Sequence, residues 1–168
     1  MARTADADKL RAQIARLILS INDFEEALSY LFAKPAKDAV AIRRALLSAA
    51  IVAYARPFTQ NEADKSTKAT SMVALKVKRV LSVEQLHLHD RLLEYRNRAI
   101  AHAEHELRPV QYAPLQHPAY LAGHHVFDVL TQPIDRTLFA SNCEALRRTA
   151  YEDVTALDAQ LRQSENAA

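Results

Sequence analysis

Apolar residues recur at steps of three and four along four stretches of this chain, and each stretch is bounded by a proline or a polar tail. The first runs from about Ala5 to Phe32. It carries Leu10, Ile14, Leu17, Ile18, Ile21, Phe24, Leu28, Leu31 and Phe32, which form one stripe at the helical period. Lys34-Pro35 ends it, because the residue before proline avoids the α region. The second starts near Lys37 and carries Val40, Leu46, Leu47, Ala50, Ile51, Tyr54 and Phe58. Pro57 predicts a kink or stop there. The third opens on a capping box, Ser82 with Gln85 three residues on. Leu86, Leu88, Leu92, Leu93, Tyr95, Ala99 and Ile100 follow, and the pattern fades near His105. The fourth spans about Ile134 to Arg162 through Phe139, Cys143, Leu146, Ala150, Val154, Leu157 and Leu161. Pro133 stands just before it, and residues 164–168 read as a frayed tail.

Two interruptions separate these runs. Residues 62–81 read as a basic linker, with Lys65, Lys68, Lys76, Lys78 and Arg79 and no acid after Asp64. A short helix is expected near Met72 to Val80. Residues 107–132 hold three prolines and Gly123 and read as an irregular loop or arm, with a short strand conceivable at Val126 to Leu130. The expectation for residues 1–168 is one all-α domain, a four- to five-helix antiparallel bundle with an irregular segment before the last helix.

Composition narrows this further. About 30 of 168 residues are alanine, the strongest helix former, and one is glycine. Sandwiches and barrels need many turn residues with positive φ, and the P-loop and dinucleotide fingerprints need glycines in series. Both classes are excluded. Net charge is only +2, which permits an anionic partner without requiring one. No apolar run approaches the ~20 residues of a membrane span, and Met1 to Lys9 lacks a signal-peptide core. With one cysteine, Cys143, there is no intrachain disulfide. The expectation is a cytoplasmic protein with no membrane partner.

Groups able to do chemistry are densest at Glu94-Tyr95-Arg96-Asn97-Arg98-Ala99-Ile100-Ala101-His102, late in the third run. An arginine followed by a polar residue, then a histidine after a short spacer, resembles the signature of the HEPN superfamily (higher eukaryotes and prokaryotes nucleotide-binding). The approach through Leu88 to Leu93 and the Ile100-Ala101-His102 ending look like its abortive-infection members. The resemblance implies a HEPN-like bundle and a metal-independent RNA endonuclease of the toxin or antiviral class, with no cofactor. It implies that Arg96 and His102 are catalytic and that Asn97 orders the site. It also implies RNA as substrate and an antitoxin protein as possible partner.

The chemistry is coherent. A histidine of ordinary pKa serves as base or acid near neutrality, and a guanidinium matches a phosphorane with parallel hydrogen bonds. Each chain supplies one such motif, so a composite site predicts a homodimer. On a straight α-helix Arg96 and His102 point about 120° apart, whereas Arg98 and His102 share a face. Arg98 is therefore a supporting candidate, though it also stands four residues after Glu94 and suits a surface ion pair. Arg56, Lys76, Lys78 and Arg79 are secondary candidates for RNA contact, set against a helix-end cation and a solvated linker. No metal site is expected. Glu84 and His87 make a single Glu-x-x-His where a carboxylate di-metal bundle needs two. The alternative is a non-catalytic HEPN-like interaction or nucleic-acid-binding module, suggested by Glu104 two residues past His102 and by the modest charge.

Overall fold

The computed structural model describes residues 2–59, 75–101, 110–114, 120–124 and 127–166. Helix α1 spans Ala2–Phe32, α2 Val40–Ala55, α3 Val77–Val80, α4 Val83–Glu94 and α5 Arg136–Asn166. A 3₁₀ turn, Arg56–Phe58, follows α2, and a π-helical turn, Tyr95–Ala101, continues α4. The fold is an all-α bundle with one small excursion. Strands β1 (Val110–Pro114) and β2 (Tyr120–His124) pair antiparallel, with Val110 opposite His124 and Pro114 opposite Tyr120. Both are edge strands, and Pro114, at the end of β1, is tolerated there.

The long helices run antiparallel. Arg11 near the start of α1 donates to Glu165 near the end of α5 at 2.7 Å. At the other end, Arg136 reaches the Leu31 carbonyl at 3.4 Å. Between them the Tyr151 hydroxyl donates to Glu25 at 3.3 Å. Such exposed links are screened by solvent and contribute little, so packing holds the helices together. Leu17, Ser20, Ile21, Phe24, Ala27, Leu28 and Leu31 of α1 are all buried. Each large apolar side chain removed from water contributes about 1.5–3 kcal/mol.

Ile18 and Phe32, expected on that stripe, are 44% and 63% exposed, and Val40 of the second stripe is 42% exposed. Ile18 and Phe32 each follow a buried leucine by one residue, a rotation of about 100° that carries the side chain off the packed face. Val40 opens α2, before its neighbours close over it.

Helix boundaries follow local chemistry. The Ser82 hydroxyl accepts from the Gln85 amide at 3.3 Å, and the Ser82 amide donates to the Gln85 side chain at 2.9 Å, so the capping box is complete. Pro57 ends α2 in a 3₁₀ turn, as expected from its missing N–H. Asp135 starts α5 by accepting from the amides of Thr137 and Leu138 at 2.8 and 3.0 Å.

The segment before α5 departs from the sequence expectation. Within 107–132 the chain forms the hairpin and then a 3₁₀ turn at Val129–Thr131. The strand considered at 126–130 is absent from its described part. Asp128 prevents it: its carboxylate accepts from the Leu130 amide at 3.0 Å and so caps a turn. Arg44 of α2 grips the same carboxylate with two bonds of 3.0 and 2.9 Å. Together these contacts hold the Asp128 carboxyl down at about 2.

Tyr54 is the hub of the core. Its ring centroid lies 5.1 Å from Phe139, 5.7 Å from His89, 5.8 Å from Phe58 and 5.9 Å from Phe24. The Tyr54 hydroxyl is 2.8 Å from His89 Nδ1, and burial pushes the phenol pKa up and the imidazole pKa down. A neutral ring with its proton on Nε2 accepts the tyrosine O–H at Nδ1. Asn142, also fully buried, donates to the Gln85 carbonyl at 2.9 Å. Cys143 is a core residue with its thiol pushed up to about 12 by burial, which suits packing and not nucleophilic attack.

Candidate active site

The motif sits where α4 gives way to the π turn. Along this helix Leu88, His89, Leu92 and Tyr95 are buried at steps of three and four. Ile100, five residues after Tyr95, is half-buried and packs on the core as well. Pairing residues five apart inserts one extra residue into the turn and brings Ile100 inward. The result is the π turn.

Its first residue is well anchored. The Tyr95 ring packs on Phe127 at 5.3 Å, and its hydroxyl donates to Gln132 at 3.2 Å. Gln132 in turn donates to the Asp128 carbonyl at 3.3 Å, and Arg91 reaches the Pro133 carbonyl at 3.0 Å. Residues 127–133 therefore strap the end of α4 to α2 through the Arg44–Asp128 pair.

Of the motif residues, Arg96 and Asn97 are adjacent in space as in sequence. Arg96 Nη1 donates to Asn97 Oδ1 at 2.9 Å. Arg96 is half-buried and Asn97 exposed. Arg98 pairs with Glu94 at 2.8 Å, the ion pair its spacing allows. His102 lies outside the described residues. The 120° separation worked out for a straight helix does not apply to the described part of this stretch, because residues 95–101 are not α-helical.

The secondary candidates are not gathered here. Lys76 precedes α3 and Lys78 and Arg79 lie on it, all exposed, at the opposite end of α4 from the motif. That helix alone is about 18 Å long. Arg56 lines a groove of about 260 Å³ with Arg16, Leu19, Ser20, Asn22 and Asp23. Its guanidinium is engaged by Asp23 at 3.0 Å and by Glu26. Burial raises the Asp23 pKa despite that pairing, whereas the Arg56 bond lowers the pKa of Glu26. Arg56 thus joins the end of α2 to α1.

Among the described residues no three His, Cys, Asp or Glu side chains converge as metal ligands. Also among them, no helix is long and apolar enough to cross a membrane. The π turn was missed in the sequence, because Ala99 and Ile100 both continue the apolar pattern after Tyr95 and leave an ordinary helical step available. Comparison with family models, curated proteins and solved structures yields no match. The class defined by the coordinates is an all-α helical bundle with a basic π-helical turn.

Proposed function

We propose that this chain is a metal-independent endoribonuclease of the HEPN type, acting in toxin or antiviral defence as a homodimer. Arg96 and His102 from two chains form one composite site in this reading, with Asn97 and Arg98 in support. The observation that carries it is the Arg96–Asn97 hydrogen bond of 2.9 Å on a π-helical turn. Such turns are rare and concentrate at functional sites. A guanidinium whose orientation is set by the next side chain is prepared to meet a phosphate in a defined direction.

In the reaction a base removes the 2′-OH proton, and that oxygen attacks the adjacent phosphorus. The bond to the 5′-oxygen breaks as an acid supplies its proton. The products are a 2′,3′-cyclic phosphate and a free 5′-hydroxyl. Two histidines related by a two-fold axis fill the base and acid roles. Arg96 stabilises the charge that builds on the phosphorane.

Purified protein incubated with RNA in EDTA is expected to cleave it. Arg96→Ala and His102→Ala are each expected to lose about 100-fold or more in rate. Sedimentation is expected to give a dimer. Wild-type rates in both variants overturn the site assignment. A second reading, a non-catalytic interaction module, is favoured by Arg98, whose guanidinium already contacts Glu94. Cleavage that survives EDTA and disappears in both variants eliminates it. Growth arrest on expression, relieved by His102→Ala or by a co-expressed antitoxin, places the activity in defence.

A further inference from the structure

Among the described residues, β1 and β2 form a sheet of two strands and pack chiefly on each other. Alternate residues of each strand therefore turn their N–H and C=O groups away from the other strand. A two-stranded hairpin is marginally stable by itself and gains from a further strand.

The two outer edges are not alike. Proteins blunt an open edge with proline or with charged side chains. Strand β1 ends on Pro114, which has no N–H to offer a neighbour. Strand β2, Tyr120–His124, holds no proline and no lysine, arginine, aspartate or glutamate. It also holds the one glycine of the chain, Gly123. Glycine weakens a strand, and inside one it marks a place where another backbone can approach closely. The β2 edge thus lacks the common protections and has room for a further strand.

A copy of β2 fits this edge. Two identical strands related by a two-fold axis run antiparallel, so the edge complements itself. Like charges set opposite one another oppose such pairing, and β2 brings none of the four charged types. Self-pairing over the strand forms about four to six backbone hydrogen bonds and joins two hairpins into one four-stranded sheet. Val110 follows Ala101, the end of the π turn, by nine positions. The chain can span at most about 30 Å over that length, so each hairpin is tethered to its own motif turn.

We infer that β2 pairs antiparallel with β2 of a second copy and that this pairing is an interface of the homodimer. It rests on the homodimer of the reading above and names a surface that builds it.

Cys143 is buried with its thiol pushed up to about 12, so a cysteine introduced elsewhere is the reactive one. The full chain is made as Tyr120→Cys, Leu121→Cys, Ala122→Cys, Gly123→Cys and His124→Cys, with Val110→Cys and Tyr112→Cys for comparison, and each is oxidised with diamide. A strand paired with its own copy has one position opposite itself. Disulfide-linked dimer is therefore expected to peak at one β2 position, near Ala122, and to fall on both sides. With the peak at Ala122, Ala122→Glu and Ala122→Lys are each expected to dimerise about fivefold more weakly in sedimentation equilibrium. An equimolar mixture of the two is expected to recover wild-type affinity, which a misfolded variant cannot do. Cross-linking that is flat along β2 or peaks in β1 overturns the inference, and so does a mixture no tighter than either variant. Slow amide exchange at β2 in a monomer assigns the edge to a cover within the chain and overturns it too. A wild-type dimer without a β2 peak removes this inference alone. A wild type that is monomeric at every concentration removes the composite-site reading and this inference together.

Discussion

Two helical turns separate His89 from Arg96 on one continuous segment, and the molecule treats the polar groups at these two places in opposite ways. Around His89 the side chains are enclosed by Phe24, Tyr54, Phe58 and Phe139, and the imidazole shares a 2.8 Å hydrogen bond with a buried hydroxyl. Around Arg96 the described side chains of Arg96, Asn97 and Arg98 are half-buried or exposed, and among the described residues Arg96 donates to Asn97 and Arg98 to Glu94, close neighbours in sequence. A buried polar pair that satisfies itself specifies how helices pack. A half-buried guanidinium with a local partner contributes little to that packing. The same continuous segment thus carries one histidine that serves the fold and, on the π turn, an arginine whose partner is its neighbour in sequence.

The sharpest contrast lies in stability. Phe139→Ala opens a cavity in the core and is expected to cost about 3–5 kcal/mol in urea unfolding. Arg96→Ala is expected to stay within about 0.5 kcal/mol of wild type. Equal losses in the two variants break the division between core and site.

A step smaller is His89→Leu, which takes the Nδ1 acceptor from the buried Tyr54 hydroxyl, at about 1–3 kcal/mol. The sign with pH is specific. Burial lowers the folded pKa of His89 below its unfolded value, so the unfolded chain takes up a proton first as pH falls. Stability from the neutral ring is complete above the unfolded pKa near 6.5 and declines as pH drops toward the folded value. Wild type is expected to lose stability as pH falls below about 6.5 faster than His89→Leu. Parallel pH curves for the two proteins contradict the buried-neutral assignment.

Asp128 is expected to act in the same direction at lower pH. Its folded pKa, about 2, is below the ordinary carboxylate value, so the contribution present above about pH 4 fades as pH falls toward 2. Asp128→Asn is therefore expected to melt below wild type at pH 6 and alongside it near pH 2. Smallest of all, Glu94→Gln removes an exposed ion pair and is expected to change stability by about 0.3–0.5 kcal/mol at most. If it also strengthens RNA binding, Glu94 restrains Arg98 in the free protein. An unchanged affinity confines Glu94 to the surface.

Much of the architecture was readable from local pattern. The four long helices, the Ser82–Gln85 capping box, the stop at Pro57 and the buried Cys143 all follow from rules that operate within one or two turns. The site was readable only as a motif. Arg96, Asn97 and Arg98 were identified by type and spacing, yet the π turn that presents them answers to Ile100 docking on other helices, and His102 lies outside the described residues. Arg56 was noticed for its neighbours Pro57 and Phe58, but its partners Asp23 and Glu26 come from a different helix.

By itself the sequence determined the fold class, because a lone glycine, abundant alanine and apolar steps of three and four leave few alternatives to packed amphipathic helices. It determined where α2 ends and where α4 begins, since Pro57 and the Ser82–Gln85 cap act on the backbone beside them. It did not determine the start of α2, which is Val40 instead of near Lys37, nor the end of α5, which runs to Asn166 through part of the expected frayed tail. Tertiary structure alone decided which residue of each stripe turns inward, how Asp128 and Tyr95 tie the last turn of α4 to α2, and which arginines are paired. Those outcomes depend on contacts between residues far apart in the chain, and a charge is paired or left over only after the helices have taken their places.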